Sequence, residues 1–199
     1  MKEIRTLMLV LGIAFPFLGC ATNMAPLPAN LSVDQTIVFG KVQASLTGPT
    51  TRWYTPQIRF FELMNLTTKE WFRVDIESAD SPFFLALPPG EYELVRLQIN
   101  EGAFRSMAQL NSTFEVSRGG LNYLGIWEVK IHPPTYLRLV DVSVETDLED
   151  AKAQVLSLYP DLAGLPITSQ LPTPRDSETR LVEISPYPRV WWFCRHLTC

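Results

Sequence analysis

Cysteine and histidine are scarce in this chain of 199 residues, with three of the first and two of the second. So few thiol and imidazole groups leave little material for a zinc enzyme, and three cysteines cannot staple a disulfide-dense scaffold. Charge is sparse as well. Asp, Glu, Lys and Arg make up 19% of the chain, below the roughly one quarter of ordinary domains. The 17 basic and 21 acidic residues leave a net charge of −4, which excludes a disordered polyelectrolyte and a basic nucleic-acid binder. The apolar run Leu7–Leu18 falls short of the roughly 20 residues that a membrane-spanning helix needs. Gly-x-Ser-x-Gly, His-Glu-x-x-His, a phosphate loop and a dinucleotide fingerprint are all missing, so neither a catalytic residue nor a cofactor is expected. What is abundant is apolar: 46% of residues are hydrophobic, enough to fill a sizeable core at this length.

The N-terminus bears on compartment. Lys2 and Arg5 precede the uncharged run Leu7–Leu18, and Gly19-Cys20-Ala21 follows. A positive start, an apolar stretch and a small-residue end form the secretory signal pattern. Phe17-Leu18-Gly19-Cys20 resembles the lipobox of bacterial lipoproteins, with Phe17 where leucine is usual. The resemblance implies a signal peptide over residues 1–19 and lipidation of Cys20. Acyl chains contribute about 0.8 kcal/mol per buried methylene, so two or three anchor a chain firmly. With Ala21 rather than aspartate after the cysteine, it also implies the outer membrane, facing the periplasm. Gly19 and Ala21 equally make a small-x-small site, and ordinary cleavage is the alternative. Residues 20–34, carrying Pro26 and Pro28 without a periodic pattern, read as a lipid-proximal linker.

Residues 35–160 read as strands with one helix. Glu70–Glu77 alternates, with Phe72, Val74 and Ile76 on one face and Arg73, Asp75 and Glu77 on the other. Ser112–Ser117 and Val140–Glu145 alternate in the same way, and Thr36–Leu46, Gln57–Met64, Pro82–Leu87, Gly90–Asn100 and Leu121–Ile131 are rich in β-branched and aromatic residues. Asn65–Thr68 predicts a hairpin turn, and the apolar parity switch between Leu94 and Val95 points to a bulge or to a strand buried on both faces. A helix is expected over 147–159. Glu149 and Asp150 lie in its first turn, Leu148, Ala151, Val155, Leu158 and Tyr159 form one stripe, and Pro160 ends it. The expected fold is mainly β: an antiparallel β-sandwich of about seven to eight strands, one short helix and a Pro-rich tail.

Phe83–Leu94, which contains Leu87-Pro-Pro-Gly-Glu-Tyr92, together with Phe39-Gly-Lys-Val42, resembles the carboxypeptidase regulatory-like and transthyretin-type β-sandwich modules. The usual Asp-Gly turn is replaced by Ala79–Pro82. The resemblance covers under a third of the chain and implies a non-catalytic binding, spacer or assembly module.

The remaining candidates are few. His132 precedes two prolines in an expected loop, and as a general base it would need a carboxylate and a nucleophile in one cleft. Glu145, Asp147, Glu149 and Asp150 lack the interleaved glycine of a calcium loop, and no metal is expected. With Cys20 lipidated, Cys194 and Cys199 remain as a candidate disulfide in the oxidising periplasm. Free or intermolecular thiols, or a metal pair with His196, are the alternatives. Six prolines between 160 and 188 point to an extended tail over residues 161–199, ending in Trp191, Trp192 and Phe193. That tail either docks onto the strands through 181–184 and 190–193 or offers an aromatic contact to a partner. Function is read as a non-enzymatic interaction or scaffolding module, with the membrane engaged through lipid, a protein partner in the envelope and no nucleic acid. The alternative is a small-molecule or glycan binder using Trp53, Tyr54, Trp71 or Trp127 for stacking.

Overall fold

The structure, a computed structural model, describes residues 21–24, 27, 36–49, 54–77, 82–133, 138–174 and 178–184. Its strands are β1 (Thr22–Asn23), β2 (Ile37–Leu46), β3 (Gln57–Asn65), β4 (Trp71–Asp75), β5 (Pro82–Ala86), β6 (Gly90–Glu101), β7 (Phe104–Val116), β8 (Leu121–Ile131), β9 (Leu139–Glu145), β10 (Ile167–Ser169), β11 (Thr173–Pro174) and β12 (Glu178–Ile184), with one helix, α1 (Leu148–Leu158).

Ten strands form one curled sheet in the order β1-β4-β3-β6-β7-β12-β9-β8-β2-β5, while β10 adds to β8 and β11 to β7. The architecture of the described residues is mainly β with one α-helix, as the alternating patterns predict. The expected antiparallel sandwich of seven to eight strands is corrected in two respects. First, β2 runs parallel to β8, β10 parallel to β8 and β1 parallel to β4. Second, the two halves are continuous through β12. Its Glu178–Arg180 segment pairs with β9, and Leu181–Ile184 pairs with β7. One strand therefore changes neighbours midway, and the sheet curls as a half-barrel around its core.

That core gathers Val38 and Val42 from β2, Phe61 and Leu63 from β3, Leu94 and Leu97 from β6, and Trp127 and Val129 from β8. Phe61, Phe83 and Trp127 meet ring to ring at 5.0–5.1 Å. A second apolar layer lies on the other face of β2 and β8, where Ile37, Phe39, Leu121 and Tyr123 pack with Val155 of α1 and Leu162. Both faces are thus covered over Ile37–Phe39 and Leu121–Tyr123, whereas the later parts of both strands alternate, with Gln43, Ser45, Glu128 and Lys130 half-exposed on the outer face. Gly40 sits at the register shift between the two strands: a Cβ there would lie 2.8 Å from the Gly125 carbonyl oxygen and 2.8 Å from the Phe83 ring.

Helix α1 starts where Asp147 accepts a hydrogen bond from the Asp150 amide at 3.1 Å, an N-cap with acidic residues in the first turn. Leu158, expected on its apolar stripe, is exposed, whereas Tyr159 packs its ring 5.4 Å from Phe84. The β3–β4 hairpin turns as expected, with Asn65 Oδ1 accepting from the Thr67 and Thr68 amides at 2.9 Å each. The predicted bulge is present as well: register shifts flank Val95 against both β3 and β7.

The segments flanking the strands take part in the fold. Thr22–Asn23 pairs with β4 and Leu27 is buried, both within the stretch read as linker. In the Pro-rich stretch, β10, β11 and β12 dock on the sheet and Leu181 enters the core. Residues 190–193 lie outside the described residues.

Three elements meet at Arg138. Its guanidinium lies in the Glu101 carboxylate at the end of β6, with Nη2 2.7 Å from Oε1 and Nη1 donating to Oε2. Its Nε donates to the His132 carbonyl at 3.1 Å, and its own carbonyl accepts from the Leu181 amide at 2.9 Å, where β12 changes neighbours. Glu101 is 1% exposed and Arg138 8%, so this is a buried ion pair at the junction of the two halves.

Candidate functional site

The outer face of β4-β3-β6-β7 carries a broad polar cleft of about 820 Å³. Its walls are strand residues, and register explains how they converge. Gln57 of β3 stands opposite Asn100 of β6, and Asn100 stands opposite Arg105 of β7. These three form one row across the sheet, spanning roughly 10 Å at the usual strand spacing. A second row holds Phe60 and Gln98, and Gln98 Nε2 donates to Asn100 Oδ1 at 2.8 Å.

Arg59 enters the cleft through an irregularity. The pairing of β3 with β6 shifts between Ile58 and Phe60, so Arg59 is an extra residue in that strand. Ile58 and Phe61 face the core, and the bulge lets two successive residues, Arg59 and Phe60, stand on the outer side. Arg73 of β4 covers Phe60, its guanidinium carbon 3.7 Å from the ring centroid, and its Nε donates to Asp75 at 3.1 Å. The Phe60 ring is buried under that cation, an arrangement that is both apolar and electrostatic.

Tyr54 forms the rim and is 62% exposed. It rests on the β6–β7 turn at Gly102, whose φ of +63° suits glycine and where a Cβ would fall 2.3 Å from the tyrosine ring. The cleft thus combines a flat aromatic face, three guanidinium groups and three amide side chains.

The other aromatic candidates divide. Trp127 is 1% exposed and belongs to the core, its indole N–H donating to the Leu124 carbonyl at 2.9 Å. Trp71 is half-buried beside Arg96, whose guanidinium carbon lies 5.8 Å from the ring and whose Nε donates to Glu62 at 2.6 Å. Trp53 lies outside the described residues, as do Cys20, Cys194, Cys199, Trp191, Trp192 and Phe193.

His132 does meet a carboxylate: its Nε2 lies 2.8 Å from Asp141 Oδ2, both groups partly exposed. Ser143, two residues further along the same strand, has a buried Oγ without a hydrogen-bond partner, so it is not bonded to this imidazole. A base–nucleophile pair requires that bond. Neighbouring Lys130 pairs with Glu128 at 3.1 Å, and its ammonium pKa is raised, first by that hydrogen bond and then by surrounding carboxylates. Among the described residues, no three His, Cys, Asp or Glu side chains converge on a metal position.

The sequence pointed to Tyr54 and placed Arg73 on an outer face, but Gln57, Arg59, Gln98, Asn100 and Arg105 were not singled out. Their signal is polar parity on strands whose other face is apolar. The bulge at Arg59 interrupts that parity at the decisive position. In comparisons with protein families, curated proteins and solved structures, no family model, no curated protein and no solved structure matches this chain.

Proposed function

We propose that this chain is a non-enzymatic binding module of the bacterial cell envelope, lipid-anchored through Cys20 at the periplasmic side of the outer membrane, with the cleft on β4-β3-β6-β7 as its ligand surface. The observation that carries this reading is the cleft itself. About 820 Å³ of polar space lies within the range of small-molecule sites, and its walls stand on paired strands, which position groups more firmly than loops. Gln57, Gln98 and Asn100 supply donors and acceptors together, and Tyr54 supplies a flat apolar face. A sugar presents the complement, hydroxyl groups around an apolar ring face.

Two further features support a binding module at a membrane. Thr22 already pairs with β4, so an acyl anchor on Cys20 holds the body close to the bilayer. The Leu-Pro-Pro-Gly-x-Tyr stretch, which in carboxypeptidase regulatory-like modules leads into a Tyr-containing strand, here joins β5 to β6, and the Tyr92 hydroxyl donates back to the Pro88 carbonyl at 2.8 Å.

Two measurements test the proposal. Mass spectrometry of the mature terminus is expected to find diacylated Cys20, and an unmodified terminus at Thr22 refutes the anchor. A glycan array probed with the full-length chain in detergent is expected to show retention that Tyr54→Ala weakens by about tenfold. Retention of no glycan, together with recovery of one protein by crosslinking in cells, replaces this reading with the scaffolding alternative, in which Trp191, Trp192 and Phe193 make the contact.

A further inference from the structure

Resting on that reading of the cleft, we infer that its ligand is an acidic saccharide, a sugar bearing carboxylate or phosphate. The whole chain is acidic, at −4, yet the cleft lining carries Arg59, Arg73 and Arg105 and no Asp or Glu among the described residues. Asp75 balances Arg73 at 3.1 Å, which leaves Arg59 and Arg105 as a local excess of two positive groups on an acidic protein. Positive walls around a concave surface concentrate anions there.

The arginines differ in how they are held. Arg73 is fixed on two sides, by Asp75 at its Nε and by the Phe60 ring beneath it, so its orientation exists before any ligand arrives. Arg59 and Arg105 are exposed and pair with no carboxylate among the described residues. Guanidinium groups offer two parallel N–H donors that match carboxylate and phosphate oxygens, and such charge-assisted bonds are about twice as strong as neutral ones.

The rest of the cleft selects a saccharide over other anions. Gln57 and Asn100 stand in register with Arg105, placing hydroxyl-binding amides directly beside a cation. The exposed Tyr54 ring lies at the same end, on Gly102. An acidic peptide would need apolar side-chain pockets, but the large apolar ring within the cleft, Phe60, is already capped by Arg73.

The test titrates the full-length chain in detergent with tetragalacturonic acid, its methyl-esterified neutral counterpart and glucose 1-phosphate, and measures its binding to phosphatidylglycerol and phosphatidylcholine vesicles. The acid tetramer or the sugar phosphate is expected to bind at least about tenfold more tightly than the ester, and which of the two does so identifies the anionic group. Arg59→Gln with Arg105→Gln is expected to remove that preference at an unchanged melting temperature. Equal binding of acid and ester that Tyr54→Ala abolishes overturns the charge inference and leaves the cleft reading intact. Binding of neither saccharide nor sugar phosphate overturns both. A preference for phosphatidylglycerol over phosphatidylcholine vesicles that Arg59→Gln with Arg105→Gln removes and the acid tetramer does not displace overturns the saccharide assignment in favour of a lipid headgroup, the acyl anchor being common to both vesicles.

Discussion

Replacing Arg138 with methionine keeps much of the buried stem but removes the guanidinium donors from the corner where the two sheet halves join. Glu101, 1% exposed, then holds a carboxylate without its guanidinium, and the His132 carbonyl loses the Nε donor at 3.1 Å. Breaking a buried ion pair from one side costs about 3–5 kcal/mol, because the uncompensated charge stays in a low-dielectric site. Against a whole-domain stability of about 5–15 kcal/mol, that is a large share. With a urea slope of about 2 kcal/mol per molar, the midpoint falls by about 1.5–2.5 M, and the melting temperature by roughly 6–20 °C. Glu101→Met should cost a comparable amount, since it strands the cation instead. The double variant should recover most of the loss, because two apolar side chains in place of a buried pair are often neutral or stabilising. Urea denaturation of all four proteins, followed by tryptophan fluorescence, gives the coupling energy. Singles that cost less than about 1 kcal/mol, or a double equal to their sum, would refute the view that this pair joins the halves as a desolvated unit.

Tyr92→Phe removes the hydrogen bond to the Pro88 carbonyl and should cost about 1 kcal/mol. It also changes the alkaline limb. Burial raises the Tyr92 pKa above 10.0 and the Glu70 charge adds to this, with an Asn65 hydrogen bond opposing, so the folded chain keeps the phenolic proton longer than the unfolded chain. That contribution is fully present below pH 10 and is lost as pH rises through the folded value; denaturation midpoints of Tyr92→Phe should therefore fall less steeply above pH 10 than those of the parent. Ending the chain after Gln170 deletes β11 and β12, takes Leu181 from the core and removes the strand that joins β7 to β9. Limited proteolysis should then cut within the strands at temperatures where the full chain resists, and equal resistance counts against β12 as the bridge. Deleting Arg59 outright removes the bulge and restores strict alternation of Ile58, Phe60 and Phe61, so stability should stay within about 1 kcal/mol while array retention falls, and unchanged retention counts against Arg59 as part of the cleft.

Strands with one face in the core and one in water were legible from alternation. In β4, Phe72 and Val74 point inward and Arg73 and Asp75 outward, as the period of two demands. The parity break at Val95 was legible, and the register shifts there choose the bulge over a strand buried on both faces. Strand order was not. The parallel pairing of β2 with β8 depends on which strands become neighbours, and an apolar strand pattern carries neither direction nor partner. The first half of β7 was missed because its inward positions there, Ser106 and Ala108, are too small to give a strong apolar signal. In β12 only Leu181 is buried, and prolines flank it, so its strand character comes from waiting partners on β7 and β9.

The same physics separates the fold from the site. A core residue is legible because burial is demanded at a fixed period, whereas the cleft arises from departures from that period. The extra residue at Arg59 brings two neighbours to the outer face. The left-handed turn at Gly102 leaves room for Tyr54, and the row Gln57–Asn100–Arg105 exists only once three strands are in register. Each element is unremarkable alone: an exposed arginine, a glycine turn, a polar strand position. Their convergence needs the direct pairing of β4, β3, β6 and β7, a half of the sheet that β12 joins to the other. A surface assembled in this way keeps its geometry only while the sheet is intact, and for that reason the buried Glu101–Arg138 pair, which follows the cleft residue Asn100 on β6, stabilises the scaffold on which the binding face stands.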